Sequence, residues 1–218
     1  DVSNSLILSF GSPWIFSDKI IKLFKNKLLN VHQSPLPKYK GSVASYVILY
    51  GIKALQSWIH VVTNDFDSGD LIYSKNIFIN KNLHNPLEVN NHIQQENRVM
   101  IKNFLNDYTN NKKFTFFKQN KFFTSYLPRL NSNVNGWIDW SLSVYEIDRF
   151  IRSFDNPYDG SRTMLNGNEV TIRDIEYSLE DSSLHSFSNG MILRKFNNYL
   201  VVSVKFGSIY IKDIQYKN

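Results

Sequence analysis

The sequence predicts an α/β fold followed by a small antiparallel β-module, and three observations support this. The first 110 residues alternate short apolar runs with helical segments, as strands and covering helices of a parallel sheet do. After residue 109 the chain becomes basic and aromatic and loses any helical period. From Met164 onward, alternating segments are separated by NG, NG and FG pairs, which are typical of antiparallel hairpins.

The first three elements are predicted to be strand, helix and strand. Residues 5–10 form a short apolar run of the kind that a buried parallel strand shows, and Gly11 ends it. Residues 13–28 carry an apolar side chain every three or four positions, which predicts a helix with Ser17 as its N-cap. Residues 28–32 then form a second short strand.

The next elements continue this alternation. Residues 42–56 are apolar on most sides and predict a buried helix. Residues 57–65 predict a strand, and another strand follows the DFDSGD turn at residues 65–70. Residues 86–108 predict a long amphipathic helix with a proline in its first turn.

The change in composition near residue 110 divides the chain into three regions. Residues 1–110 form the α/β domain, residues 111–136 an extended connector, and residues 137–218 a helix followed by the β-module. The helix of the last region is predicted at residues 143–154, and its opening tetrapeptide, SVYE, matches a capping box.

The composition is that of a globular protein with a basic surface. Hydrophobic residues make up 42% of the chain, which excludes a largely disordered protein. The absence of cysteine excludes disulfides and thiolate metal sites, and it suits a reducing, cytoplasmic location. No apolar run approaches the ~20 residues of a membrane span, so we expect no membrane partner. The chain begins without Met or a signal peptide, so we expect that a segment precedes Asp1.

The net charge of +6 favours an anionic partner, although a solvated, lysine-rich surface explains the same charge. The segment KKFTFFKQNKFF, residues 112–123, interleaves basic and aromatic residues, and such a segment can neutralise and stack on single-stranded nucleic acid. A non-catalytic nucleic-acid-binding module is therefore one hypothesis. A connector whose aromatic side chains face the core explains the same pattern.

Polar groups suited to acyl transfer follow two of the predicted strands. Asn30 and His32 end one strand, and Asp65, Asp67 and Asp70 follow the next. The carboxyl ends of strands line the ligand crevice of an open α/β sheet, so we expect His32 and one aspartate to face each other there. A carboxylate fixes the tautomer of an imidazole, and an amide stabilises an oxyanion. The residue types alone leave a catalytic role and an ordinary loop role open.

Two motifs resemble formyltransferases that use N10-formyltetrahydrofolate. The pattern N-x-H, S-x-L-P-x-[YW]-[KR]-G and D-[ST]-G-D occurs at residues 30–32, 34–41 and 67–70. Residues 136–163 resemble the I-D-W-S…F-I-R-A-F…P-Y-x-G-A segment that follows the catalytic domain in that family. The resemblance implies a Rossmann-like catalytic domain at residues 1–110, with a further strand–helix–strand unit before Asp1.

The resemblance also implies a catalytic triad of Asn30, His32 and Asp67. Asn30 and a protonated His32 would stabilise the oxyanion that forms when a substrate amine attacks the formyl carbon. Asp67 would orient His32 and help to move the proton of the amine. The co-substrate would be N10-formyltetrahydrofolate, and no metal is expected. The folate would lie against backbone groups of Phe10, Gly11, Ser12, Val62, Asn64 and Phe66.

The acceptor amine differs among members of the family: initiator methionyl-tRNA, glycinamide ribonucleotide or a nucleotide-linked amino sugar. The small C-terminal module and the SYLPR run at residues 125–129 resemble sugar N-formyltransferases. The favoured substrate is dTDP-4-amino-4,6-dideoxyglucose, made for a surface polysaccharide such as O-antigen. A 3-amino sugar, a GDP- or UDP-linked sugar and methionyl-tRNA remain alternatives. We expect a homodimer that binds no nucleic acid.

Three basic residues are candidate contacts for the diphosphate of such a substrate. They are Lys38, Lys40 and Arg129. Lys40 stands where the family commonly has Arg, so the charge is kept but the planar fork that makes bidentate contacts is not.

Overall fold

The computed structural model describes residues 5–12 and 14–216, and these form two compact, discontinuous units. The first comprises the described residues up to Val43, Lys53–Lys81 and Asn90–Pro128, and the second comprises Ala44–Ile52, Asn82–Val89 and the described residues from Arg129. Most of the predicted connector therefore belongs to the first unit. The segment expected before Asp1, and the first residue of the helix predicted at 13–28, lie outside the described residues.

The first unit has six strands within the described part of the chain. They are β1 (Ile7–Phe10), β2 (Leu28–His32), β3 (Lys40–Gly41), β4 (Ala54–Val61), β5 (Leu71–Phe78) and β6 (Tyr126–Leu127). Four of them form one sheet in the order β1-β2-β4-β5, and β3 pairs with β6 in a small parallel sheet.

The prediction of a parallel sheet was wrong for β4 and β5. β1 and β2 are parallel, but β4 is antiparallel to both β2 and β5. Nine residues separate β4 from β5, and a parallel connection needs about a dozen or more, so this pair forms a hairpin. The mixed sheet belongs to the α/β class all the same, and it changes where the polar residues meet.

The helices of the chain match the predictions unevenly. They are α1 (Asp18–Phe24), α2 (Ala44–Leu49), α3 (Pro86–Thr109), α4 (Ser132–Asn135) and α5 (Val144–Ser153). The long helix α3 is confirmed, whereas α1 is shorter than predicted, and its N-cap Ser17 makes no side-chain capping bond.

The helix predicted at residues 42–56 was too long, because Gly51 ends α2 early. Gly51 lies in the left-handed region, with φ of 62°. The Ile52 N–H donates to the Val47 carbonyl at 2.8 Å, and the Gly51 N–H donates to the Ile48 carbonyl at 2.9 Å. These two bonds form a Schellman motif, after which the chain enters β4.

The core of the first unit lies on one face of its large sheet. Leu29 and Val31 of β2 and Ile59 of β4 are buried there against Met100 and Phe104 of α3. Since side chains alternate along a strand, the residues between them point to the opposite face. This alternation sets the direction of the polar side chains of β2 and β4.

The second unit contains the predicted antiparallel module. Its strands are β7 (Ser161–Leu165), β8 (Asn168–Ile172), β9 (Ile175–Ser178), β10 (Ile192–Lys195), β11 (Leu200–Val204), β12 (Gly207–Ile211) and β13 (Ile214–Tyr216). They form two antiparallel sheets, β10-β11-β12-β9 and β13-β8-β7. Apolar residues of α5, among them Ile147 and Ile151, pack with Val202 and Ile209 in its core.

Helix α5 begins with the predicted capping box. The Glu146 N–H donates to Ser143 Oγ at 3.4 Å, and the Ser143 N–H donates to Glu146 Oε2 at 2.9 Å. Within the described residues, no helix is both long and apolar enough to span a membrane.

Candidate active site

The polar face of β2 and β4 brings together the side chains expected to carry chemistry. Asn30 and His32 are two residues apart on β2, so they share a face. In the antiparallel register Asn30 lies opposite His60 of β4. The prediction of parallel neighbours was wrong for β4, so the site lies across a sheet face, but His32, the last residue of β2, faces an aspartate as expected.

Asp67 is the point at which these side chains converge. Its Oδ2 lies 3.2 Å from His32 Nδ1, and its Oδ1 lies 3.4 Å from His60 Nε2. The Asn30 amide Nδ2 is 3.5 Å from Asp67 Oδ1 and 3.2 Å from His60 Nε2. His32, His60 and Asp67 are buried, each no more than 9% exposed. Three strand residues and one loop carboxylate thus form a buried polar cluster.

Hydrogen-bond geometry assigns the proton positions of both imidazoles. His60 Nδ1 lies 2.8 Å from the Val61 carbonyl oxygen, and a carbonyl only accepts, so Nδ1 carries the proton. His60 Nε2 faces both Asn30 Nδ2, at 3.2 Å, and Asp67 Oδ1, at 3.4 Å. His32 Nδ1 faces the Asp67 carboxylate and donates to it, which leaves Nε2 of His32 as its lone-pair nitrogen.

Burial and charge determine the protonation of the cluster. Burial lowers the pKa of His32, and the nearby Asp67 carboxylate offsets only part of this effect. Burial alone would raise the pKa of Asp67, but the hydrogen bond from His60 and the charges of His32, His60 and Lys40 bring it below its ordinary value. At neutral pH the resting site therefore pairs an ionised Asp67 with a neutral His32.

A cavity of about 110 Å³ opens beside this cluster. Its wall includes Asn30, His60 and Asp67, whereas His32 contacts Asp67 from outside the wall. Four of the six predicted folate contacts line it: Ser12, Val62, Asn64 and Phe66. Of the other two, Phe10 packs against the core, and Gly11 has a left-handed backbone.

The cavity wall suits a flat heterocycle with hydrogen-bonding edges, such as a pterin. Exposed Trp14 and Phe66 supply aromatic surface, and Thr63 and Asn64 supply polar groups. The buried Ser9 hydroxyl lies in the wall with no hydrogen-bond partner among the described residues. An unsatisfied buried hydroxyl is destabilising, so a ligand that bonds to it gains affinity.

The predicted diphosphate contacts have different surroundings. Lys38 is exposed, with Nζ 6.0 Å from the ring centroid of Phe123. Lys40 is buried, and its Nζ donates to the Phe66 carbonyl at 3.0 Å, so it supports the loop that carries Asp67. Arg129 is exposed and lines an open cavity of about 400 Å³ in the second unit. Their roles toward a diphosphate stay predictions.

His60 is the site residue that sequence reasoning missed. It lies within the strand predicted at residues 57–65, and its Nδ1 contacts the Val61 carbonyl. Its contacts with Asn30 and Asp67 follow from the antiparallel β2–β4 pairing, which the predicted parallel sheet excluded. The nine-residue connection between β4 and β5 shows only that those two strands are antiparallel, and no local pattern gave the direction of β4 relative to β2.

The fold and the site match one family along most of the chain. The family model described as formyl transferase matches residues 6–104, and the model described as formyl transferase, C-terminal domain, matches residues 132–218. The chain therefore belongs to the formyltransferase family, which confirms the resemblance drawn from its motifs.

Two curated relatives and one solved structure are similar to nearly the whole chain. The bifunctional polymyxin resistance protein ArnA of Wigglesworthia glossinidia brevipalpis is 28% identical over 97% of this chain. A methionyl-tRNA formyltransferase of Clostridium perfringens is 24% identical over 98% of it. The chain spans only 31% and 66% of the lengths of these relatives.

The solved structure is an N-formyltransferase from Helicobacter canadensis, in complex with folinic acid and dTDP-3-aminofucose. It superposes with a TM-score of 0.71 at 24% identity, covering 95% of this chain and 73% of that chain. The likeness shows a shared fold: a mixed α/β core followed by antiparallel sheets.

Proposed function

We propose that this chain transfers a formyl group from N10-formyltetrahydrofolate to the amine of a nucleotide-linked amino sugar. The observation that carries the proposal is the convergence of an amide, two imidazoles and a carboxylate at the edge of a cavity. The predicted triad of Asn30, His32 and Asp67 accounts for three of these four groups.

The co-substrate supplies an activated formyl carbon as the electrophile. The acceptor amine forms a bond to that carbon and loses one proton, and the bond from the carbon to N10 breaks as N10 takes up a proton. The amide of Asn30 is placed to donate to the oxygen that gains negative charge, because Nδ2 lies in the cavity wall. The Asp67 carboxylate in the same wall accepts the proton of the amine, directly or through water.

His32 lies outside the cavity wall, and it supports this proton transfer through its contact with Asp67. The family resemblance implied a protonated His32, but its lowered pKa makes the resting imidazole neutral at neutral pH. Its Nδ1–H donates to Asp67, so the ring holds one oxygen of the carboxylate in place. Because Nδ1 already carries a proton, the proton taken from the amine stays on Asp67 or passes to water, while His32 keeps the carboxyl group in place.

The acceptor is proposed at the level of one sugar class. The dTDP-3-aminofucose in the Helicobacter canadensis complex supports a dTDP-linked amino sugar, and the SYLPR run favours the same class. Within this class we favour dTDP-4-amino-4,6-dideoxyglucose, whose formylated product would enter a surface polysaccharide such as O-antigen. We propose that the enzyme acts in the cytoplasm as a homodimer. Initiator methionyl-tRNA is the second candidate, because methionyl-tRNA formyltransferases match nearly the whole chain.

The acceptor is identified by mass. The protein is incubated with N10-formyltetrahydrofolate and dTDP-, UDP- or GDP-linked 3-amino or 4-amino sugars, or with methionyl-tRNA. We expect a gain of about 28 daltons, one CO unit, on a dTDP-amino sugar, with stoichiometric release of tetrahydrofolate. Formylation of methionyl-tRNA alone would replace the sugar proposal, and the absence of tetrahydrofolate release with every acceptor would refute formyl transfer.

Substitutions in the triad test the assignment of roles. Asn30→Ala is expected to lower kcat by about 10²–10³-fold, as the loss of one oxyanion donor does. Asp67→Asn is expected to lower it by about 10⁴-fold, by analogy with other carboxylate–imidazole pairs. His32→Asn should also abolish most turnover. His92→Asn is the matched control, since His92 lies in α3 and its Nε2 contacts the Phe78 carbonyl, outside the cluster around Asp67. Near-full turnover of His32→Asn would contradict the triad.

A further inference from the structure

The turn that carries Asp67 holds an unfavourable backbone conformation. Asp67 has φ of 45°, in the left-handed region that most residues other than glycine avoid. Such a residue persists only when its surroundings fix it. The carbonyl before it accepts from Lys40, while Ser68 Oγ donates to the Asp65 carbonyl at 2.9 Å. These bonds leave the carbonyls of Asp67 and Gly69 to be satisfied from elsewhere.

Gln119 of the predicted connector satisfies both carbonyls. Its Nε2 donates to the Asp67 carbonyl at 3.0 Å and to the Gly69 carbonyl at 2.7 Å. A side-chain amide nitrogen has two hydrogens, and both are used here. Because both partners are acceptors, the opposite amide orientation would set Oε1 against two carbonyl oxygens. The amide of Gln119 therefore bridges the carbonyl groups of the two residues on either side of Ser68.

The backbone near Gln119 is itself fixed to the strand that leaves this turn. The Leu71 N–H donates to the Phe117 carbonyl at 2.8 Å, and the Phe117 N–H donates to the Leu71 carbonyl at 2.9 Å. Together with Gln119, these bonds attach the segment to the turn at its centre and at its exit. The segment that suggested nucleic-acid binding thus serves as a support for the turn.

From these contacts we infer that Gln119 is a positioning residue for the carboxylate of Asp67. The expected effect of Gln119 on kcat rests on the proposed function. Both side-chain hydrogen bonds that Gln119 makes among the described residues go to backbone carbonyls of the turn, so Gln119 acts through the orientation of the backbone that carries the Asp67 side chain. Losing its two donors frees the left-handed peptide to relax and moves the carboxylate from His32 and Asn30.

Gln119→Met tests this inference, because Met has a similar length and no amide. We expect kcat to fall about 10- to 100-fold, as a misplacement of about 1 Å does, with KM for both substrates nearly unchanged. Gln119→Asn keeps the amide one methylene short and is expected to show the same loss. Gln56→Met is the matched control, since the side-chain amide of Gln56 donates to Ser74 Oγ on the neighbouring strand, away from the turn. Wild-type kcat in both Gln119 variants would overturn the inference.

A double-mutant cycle separates positioning from general destabilisation. In an Asp67→Asn background, Gln119→Met should lower kcat little further, because both changes remove the same carboxylate from the reaction. Losses that multiply independently would overturn the inference.

A spectroscopic measurement tests the same contact without turnover. The Asp67 carboxylate raises the pKa of His32 relative to burial alone, so its displacement in Gln119→Met should lower that pKa further in an NMR titration. If the wild type formylates none of the acceptors tested, the proposed function fails. The titration still decides the role of Gln119 in that case. An unchanged His32 pKa in a folded variant would count against that role.

Discussion

At Asp67, the backbone and the side chain both depend on the residue type. The left-handed φ of 45° is tolerated by Asp and Asn better than by most side chains, and only the carboxylate offers two oxygens to two imidazoles. A glycine would adopt the same φ but would leave His32 and His60 without their shared partner. This double requirement explains why a turn residue holds a reactive group here.

The lowered pKa values of His32 and Asp67 predict a loss of stability in acid. Below its ordinary pKa of 6.5, His32 binds a proton in the unfolded chain before it does so in the folded one. The free energy of unfolding should therefore fall as the pH falls from 6.5 toward the lower folded pKa. Asp67 adds a second loss below 3.8, as the pH falls through its own lowered pKa.

Urea unfolding at a series of pH values checks the first of these losses. His32→Asn should show a shallower decline than the wild type between pH 7 and 5, with His92→Asn declining like the wild type. A parallel decline in the wild type and His32→Asn would show that His32 does not titrate as its burial requires.

At the scale of elements, short connections decide where side chains meet. The nine residues between β4 and β5 enforce a hairpin, and the separate antiparallel pairing of β4 with β2 sets Asn30 opposite His60. Likewise Gly51 ends α2, so that residues predicted as helix become the start of β4. The local cap signal was confirmed for Ser143 but not for Ser17, and the pairing direction of β4 was not predicted.

The capping box of α5 carries a prediction for stability. Ser143→Ala removes the hydroxyl that accepts from the Glu146 N–H, and it should lower the free energy of unfolding by about 0.5–2 kcal/mol. Ser143→Thr keeps a hydroxyl at the same position and should lose much less. Denaturant unfolding monitored by tryptophan fluorescence gives both values, and equal losses in the two variants would mean that the cap bond contributes nothing.

At the scale of the whole molecule, the net charge of +6 leaves two kinds of anionic partner to be distinguished. The connector segment is only partly core-facing: Phe114 packs with Phe104 at 5.1 Å between centroids, while Phe116, Phe117 and Phe122 are exposed. An exposed basic surface attracts any polyanion weakly, and salt screens that attraction.

Salt therefore separates the enzyme hypothesis from nucleic-acid binding. A short single-stranded oligonucleotide should bind weakly at 50 mM salt, as an order-of-magnitude choice, and be released by roughly 200 mM. Formylation of the amino sugar should persist at the higher salt. Fluorescence anisotropy measures oligonucleotide binding, and the mass assay measures formylation of the amino sugar, both on the same protein sample. Tight oligonucleotide binding at the higher salt, without turnover, would favour the binding module.

The sequence by itself determined the element types, the capping box of α5, the antiparallel module and the triad of Asn30, His32 and Asp67 as candidates. These depend on local periodicity, on caps and on motif spacing, all of which lie within short stretches of chain. The sequence did not determine the roles of Lys38, Lys40 and Arg129. A lysine can bind a substrate phosphate or, as Lys40 does, donate to a backbone carbonyl of a loop.

Only the tertiary structure decided the strand directions, and with them the membership of His60 and Gln119 in the site. His60 is 30 residues from Asn30, and Gln119 is 52 residues from Asp67. Contacts at such separations depend on strand pairing and on the path of a connector. Those are fixed by the packing of the whole unit, because no local pattern records which surface a segment will meet.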